Sequence, residues 1–208
     1  MATLTSGEIR KRLTSRDGKR LIVSPLLRRD QVRDMSIDLR IGNQFIIFRR
    51  HTQGEINPFT ISKEGLHRFQ ERRIVPFCSQ SFVLHPGVLA LAATFEYVRL
   101  PNDLEGQVEG RSSWARLGLQ IATATCVEPG FSGVITFELS NIGNMPLPIY
   151  PGVRVAQMIL RETLSAVEKP HSESGKYQFA IGPQFSRLNM DADALPFIPE
   201  DVRQRGNS

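Results

Sequence analysis

Seven apolar, alternating runs follow one another through the middle of this chain, at 81–85, 88–99, 104–109, 119–127, 134–140, 145–150 and 153–160. Turn residues punctuate them: Pro86-Gly87, Pro101-Asn102, Pro129-Gly130, Gly143-Asn144 and Pro151-Gly152. Proline presets one turn dihedral and removes a backbone donor, and glycine accepts conformations other residues avoid, so such dipeptides end strands. Short strands recurring at about 8–12-residue spacing bury their apolar faces by closing into a sandwich or a barrel. From residue 74 onward the expected fold is therefore β.

Upstream the signals are mixed. Thr5-Ser6-Gly7-Glu8 has the spacing of a capping box, so a short helix is expected through Leu13, ending near Asp17-Gly18. Leu21 to Val23 reads as a strand stopped by Pro25. Ser36-Ile-Asp-Leu-Arg-Ile41 alternates with period two, and Gln44 to Phe48 continues as strand after Gly42-Asn43. Residues 51–73 are polar and weakly patterned, which predicts a loop with one helical turn around Leu66 and Phe69. After Ser165 the chain turns polar, then extended and rich in Pro, Asp and Gly. The expected organisation is one β domain over 1–165 and a C-terminal tail over 166–208 that closes over a site.

Composition narrows the function classes. At 208 residues, 40% hydrophobic and 23% charged, the chain has the makeup of a soluble globular domain. No apolar stretch approaches the roughly 20 residues that span a bilayer. The N-terminus, MATLTSGEIRKRL, lacks an apolar signal-peptide region, so a cytoplasmic protein without a membrane role is expected. Cys78 and Cys126 are too few for a disulfide scaffold or a zinc finger. The net charge of +5 and pI near 9.6 raise the question of nucleic acid, but the arginines are scattered and no basic helix interleaves with aromatics. A small anionic ligand suits them better.

The chemistry concentrates between residues 109 and 140. Glu109-Gly-Arg-Ser-Ser-Trp-Ala-Arg-Leu-Gly-Leu119 offers Arg111 and Arg116 for bidentate contacts with phosphate, and the hydroxyls of Ser112 and Ser113. Glu128-Pro-Gly-Phe-Ser-Gly133 turns the chain back, so that runs 119–127 and 134–140 form a hairpin. Thr123 and Thr125 add hydroxyls to its first strand. On the second strand Ile135, Phe137 and Leu139 share one face, and Val134, Thr136, Glu138 and Ser140 the other. A lone strand glutamate is by itself an ordinary surface residue. Beside a phosphate clamp, Glu138 becomes a candidate for acid–base chemistry on a nucleotide. Trp114 reads as packing within a helical turn at 112–117.

These residues carry a resemblance. Gly-Arg-Ser-Ser-x-x-Arg-Leu-Gly-Leu, then Pro-Gly-Phe-Ser-Gly, then Thr-x-Glu-Leu-Ser-Asn resembles the dCTP deaminase family of the dUTPase-like superfamily. Ser36 to Asn43, Phe82 to Gly87, Pro151 to Gln157, and Gly175-Lys-Tyr-Gln178 with Gly182-Pro183 extend the likeness in the same order. The resemblance implies a mainly β, distorted-barrel fold, a homotrimer with sites between subunits, and hydrolysis of dCTP to dUTP and ammonia without a catalytic zinc. Mg²⁺ would accompany the triphosphate, and dTTP becomes a candidate inhibitor. By position, Arg111, Ser112, Ser113, Trp114, Ala115 and Arg116 would hold the triphosphate, with Ser112 and Arg116 closest to the chemistry. Ala124 and Glu128 would lie at the nucleotide, Glu128 on the deoxyribose. Thr136 and Phe137 would flank the site, Gln157 would approach it, and Lys176 would reach the phosphates from the tail. Glu138 would be the proton shuttle. Attack at C4 of cytosine needs one proton removed from water and others delivered to N3 and N4, which one carboxylate manages when burial lifts its pKa towards working pH.

Glu128 stands where the family usually has Asp, Cys126 where single-function deaminases commonly have Arg, and Thr125 where they have His. The bifunctional deaminase–diphosphatases also lack that basic pair. In the tail, His171 replaces a usual Tyr and Ala180 a usual Gln. Two other readings stay open. One is a diphosphatase or bifunctional enzyme, in which Glu128 activates water against the α-phosphate. The other is a nucleotide-binding regulator that has lost turnover. A zinc deaminase is excluded: His171-Ser-Glu173 matches half of its motif, but no Cys-x-x-Cys follows. Cys126 would act as a nucleophile only with a base beside it.

Overall fold

The computed structural model describes residues 2–49, 56, 69–122, 126–168, 170–171, 175–188 and 199–200. Thr5 opens the first helix, α1 (Ser6–Thr14), through the expected capping box, its backbone N–H donating to Glu8 Oε2 at 2.8 Å. Ile9 buries against the barrel, and Arg12 fixes the helix there by ion pairs to Asp103 at 2.9 Å and Glu162 at 2.6 Å.

Strands dominate the other described residues. After β1 (Ala2–Thr3), β2 (Ile22–Ser24), β3 (Ser36–Phe48) and β4 (Gln70–Ile74) come β5 (Phe82–Leu84), β6 (Leu89–Thr94), β7 (Tyr97–Arg99) and β8 (Leu104–Gly110). A short helix, α2 (Ser112–Ala115), precedes β9 (Leu119–Ala122), β10 (Ser132–Gly133), β11 (Thr136–Asn141), β12 (Leu147–Ile149) and β13 (Arg154–Glu162). The main sheet runs β1-β13-β3-β6-β11-β9, with β4 also paired to β3 and β8 to β13; β10-β7-β2 and β12-β5 form two smaller sheets. The fold is the mainly β, dUTPase-like one. Among the described residues no helix is long and apolar enough to cross a membrane.

Three elements differ from the sequence reading, each for a tertiary reason. β3 is one strand rather than two, and the break expected at Gly42-Asn43 is a register shift against β6 between Ile41 and Phe45. Residues 70–73, expected to be loop, belong to the strand Gln70–Ile74, which pairs with Gln44–Phe48. Its composition, Gln-Glu-Arg-Arg-Ile, carries no alternation because Arg72, Arg73 and Ile74 face solvent at the sheet edge, where pairing rather than propensity decides. Leu66 lies outside the described residues. Finally, run 88–99 divides into β6 and β7, which belong to different sheets. The turn between them is set by Glu96, fully buried, whose carboxylate accepts from Arg40 N at 2.8 Å, Gln31 Nε2 at 2.7 Å and Arg40 Nη1 at 3.0 Å.

The core lies between the curled main sheet and the smaller ones. Phe45 stacks on Phe82 at 4.2 Å, and Leu39, Ile41, Leu84, Phe137, Leu139, Val155 and Met158 fill the space around them. The inward faces of β3, β11 and β13 thus build the core, which leaves the alternate positions of β11 free to build a site.

Candidate active site

β11 projects Glu138 outward between two apolar neighbours. Its cross-strand partners are Leu91 on β6 and Ala122 on β9, and directly paired residues share a face. The side chain is half-buried, and burial pushes its carboxyl above the ordinary value of 4.5, opposed only by its own backbone amide. That is the environment a proton shuttle needs. Thr136 lies two residues along on the same face, where its hydroxyl oxygen accepts from Gln184 N at 3.2 Å.

The tail forms the opposite wall. Val134 N donates to Ala180 O at 2.9 Å and Phe179 N to Ser132 O at 2.7 Å, while Gln178 Oε1 accepts from Ser132 N at 3.0 Å. Residues 175–184 therefore run along 130–136, and this part of the tail folds over the β10–β11 surface. Gly130, at φ +81°, makes the turn at Pro129-Gly130, and a β-carbon there would lie 2.7 Å from Cβ of Pro170. Between tail and strand is a cavity of about 410 Å³ lined by Glu138, Thr136, Glu128, Lys176, Tyr177 and Gln184, together with Cys126 and His171. Tyr177 and Gln184 were not singled out from the sequence; the tail's polar composition gave no sign of which residues turn inward.

The phosphate clamp is elsewhere on the chain. None of residues 111–116 lines the Glu138 cavity. They follow β8, and Ser112, Ser113, Ala115 and Arg116 are exposed. Arg111 is oriented by Asp38, buried on β3, at 3.9 Å; the same carboxylate pairs with Arg154 at 3.1 Å. Gln157 stands in register with Asp38 on one side and Glu109 on the other, so it belongs to this cluster. Asp38 is a functional candidate the sequence reading passed over, although a carboxylate in an otherwise apolar strand demands cationic partners. Within one chain the expected site residues thus fall into two groups, the arginine cluster with Gln157 and the Glu138 cavity under the tail.

Several expected ligands take other places. Trp114 packs partly buried on the core and donates from Nε1 to Arg154 O at 3.0 Å, so its side chain serves packing. Phe137's ring is fully buried in the core, and the residue does not line the cavity. Ala124, with Thr123 and Thr125, lies outside the described residues. Cys126 Sγ meets Glu105 Oε2 at 3.4 Å, yet burial, reinforced by that carboxylate, pushes its thiol up to about 11. The thiolate needed for nucleophilic attack is therefore suppressed. Among the described residues no group of three or more His, Cys, Asp or Glu side chains is placed to hold a metal ion.

A mainly β, half-barrel sheet with a carboxylate cavity roofed by its own tail has the dUTPase-like fold. The family model described as dCTP deaminase-like matches residues 3–163, and the chain belongs to that family. It is 39% identical over 199 residues to "dCTP deaminase, dUMP-forming" of Methanosphaera stadtmanae, covering 94% of this chain and 98% of that one. It is 41% identical over 194 residues to "dCTP deaminase" of Halorubrum lacusprofundi, covering 91% and 93%. Among solved structures it resembles the 2'-deoxycytidine 5'-triphosphate deaminase of Agrobacterium tumefaciens, with a TM-score of 0.59 and 25% identity over 77% of this chain and 48% of that one.

Proposed function

We propose that this protein deaminates dCTP and then hydrolyses the resulting dUTP in the same cavity, releasing ammonia, pyrophosphate and dUMP. The observation that carries the reading is the placing of two carboxylates, Glu138 and Glu128, around one nucleotide-sized cavity with Lys176. The dUMP-forming relatives support the second step, which the sequence reading held as an alternative to stopping at dUTP. In the first step Glu138 takes a proton from water as its oxygen bonds to C4, and passes that proton to N3. It then takes the proton of the new C4 hydroxyl and gives it to N4; the C4–N4 bond breaks with its electron pair on nitrogen, the C4=O double bond forms and ammonia leaves. In the second, Glu128 takes a proton from water as its oxygen bonds to the α-phosphorus. The bond from that phosphorus to the bridging oxygen breaks, and pyrophosphate leaves with the electron pair. Mg²⁺ enters with the triphosphate and offsets phosphate charge.

The two half-sites complete each other across subunits of a homotrimer in this reading, with Arg111, Ser112 and Arg116 of one chain holding the phosphates of a nucleotide whose base lies at Glu138 of the next. The setting is cytoplasmic nucleotide supply, and dTTP is a candidate inhibitor of the same cavity.

The test is incubation with dCTP and Mg²⁺, with chromatography of nucleotides and an ammonia assay. Wild-type protein is expected to yield dUMP, pyrophosphate and ammonia. Glu138→Gln is expected to lower ammonia release by about 10²–10⁴-fold, the range of a lost acid–base catalyst. Accumulation of dUTP alone would remove the second step, and tight dCTP binding without turnover would remove both.

A further inference from the structure

Two residues at which this chain departs from the pattern it resembles meet in the fold. His171 Nδ1 lies 2.7 Å from Glu128 Oε2, across 43 positions of sequence. The contact is built into the tail. His171 N donates to Pro129 O at 2.9 Å, Gly175 N donates to His171 O at 2.7 Å, and the Phe131 ring packs against the imidazole at 5.7 Å. The imidazole is 16% exposed and the carboxylate 64%. The two atoms lie within hydrogen-bond distance, with Nδ1 donating in the tautomer that carries its proton there. Nε2 is buried without a hydrogen-bond partner among the described residues and lies against Gly175, where any side chain would overlap it. These contacts hold the ring with Nδ1 towards Glu128.

We infer that His171 is a positioning residue for Glu128, holding its carboxylate against the cavity under the tail so that seating of the tail and readiness for the second hydrolysis are one event. The inference rests on the two-step reading above and adds the residue that governs its second step. An exposed glutamate on a flexible stem samples several rotamers, and fixing one costs side-chain entropy. A charge-assisted bond from a packed imidazole offsets that cost and occupies Oε2, leaving Oε1 to take the proton from water. Lys176 lines the same cavity, so the closing tail brings a phosphate-directed cation along with the imidazole.

The experiment follows dUTP, dUMP and ammonia from full-length protein given dCTP and Mg²⁺, with a thermal melt of each variant. His171→Phe keeps a packed ring without a donor, and His171→Asn keeps an N–H near the Nδ1 position. In His171→Phe the fall in dUMP formation should exceed any fall in ammonia release by about tenfold or more, the size of one lost hydrogen bond to a charged group. The loss should appear in kcat rather than KM, dUTP should accumulate, and His171→Asn should recover most of it. On a Glu128→Gln background, His171→Phe should change dUMP formation by less than about twofold, because the positioned group is already gone. Equal loss of both products in His171→Phe, no recovery in His171→Asn, or full multiplication of the two effects would overturn the inference while leaving the two-step reading intact. Failure of that reading shows separately, as wild-type protein that releases ammonia and forms no dUMP.

Discussion

Replacing Arg40 by Met should cost far more stability at neutral pH than its loss of contacts suggests. Arg40 and Glu96 form an ion pair at 3.0 Å with side chains 6% and 0% exposed. Gln31 completes the cluster, donating to Glu96 and accepting from Arg40. The pair also supports the site: Phe95 N donates to Arg40 O at 2.8 Å, and Thr94 next to it holds Ile135 at the root of β11 through two hydrogen bonds. Removing one partner of a buried pair leaves an uncompensated charge, at a cost of about 3–5 kcal/mol. For a chain of this size 1 kcal/mol corresponds to roughly 2–4 °C, so the melting temperature should fall by roughly 6–20 °C at fixed protein concentration. The pH dependence comes from Glu96. Burial already pushes its carboxyl above 4.5, and Arg40 is among the groups opposing that rise. Without Arg40 the folded-state pKa climbs further. A raised carboxyl favours the folded state below its unfolded value, and that favour is lost as pH rises through the folded value. The deficit of Arg40→Met should therefore be small near pH 4.5 and grow towards pH 7. The double variant Arg40→Met/Glu96→Leu, which removes both charges, should lie close to wild type. Denaturant melts at the two pH values check this. A deficit under about 1 kcal/mol, or one equal at both pH values, would refute the buried-pair argument.

Three further outcomes are expected. The acid limb of kcat/KM for ammonia release should have its midpoint above 4.5, because burial raises Glu138 and activity is lost as pH falls through that raised value; a midpoint at or below 4.5 would disconnect Glu138 from the limb. Refolding a mixture of Glu138→Gln and Arg116→Ala chains should regain activity that neither variant has alone, since some interfaces would pair an intact carboxylate cavity with an intact clamp. No regain would place both half-sites' work within a single chain. Cys126→Ala should keep deamination within about twofold, because a thiol held at about 11 contributes no thiolate at neutral pH; a hundredfold loss would reinstate it as a nucleophile.

Much of this was legible from residue patterns. The capping box at Thr5 and Glu8 acts locally, within one helical turn, and formed as read. The period-two faces of β11 were equally clear: Phe137 and Leu139 are buried, while Thr136 and Glu138 turn to the cavity. The edge strand Gln70–Ile74 was not legible, because its partner lies on β3 and its exposed charges carry no alternation. Nor was the separation of Glu138 from Arg111–Arg116. A spacing of 22 to 27 positions along the chain suggests one site, but none of residues 111–116 lines the Glu138 cavity.

The sequence by itself determined the strand periodicity, the turns, and the inventory of phosphate-binding and acid–base groups, since these depend on residue chemistry and nearest neighbours. Only the tertiary structure decided which of those groups share a cavity. Glu138 acquires a raised pKa from its burial, and Glu128 acquires His171, because desolvation and hydrogen bonding come from whatever the fold packs alongside, at any distance in sequence.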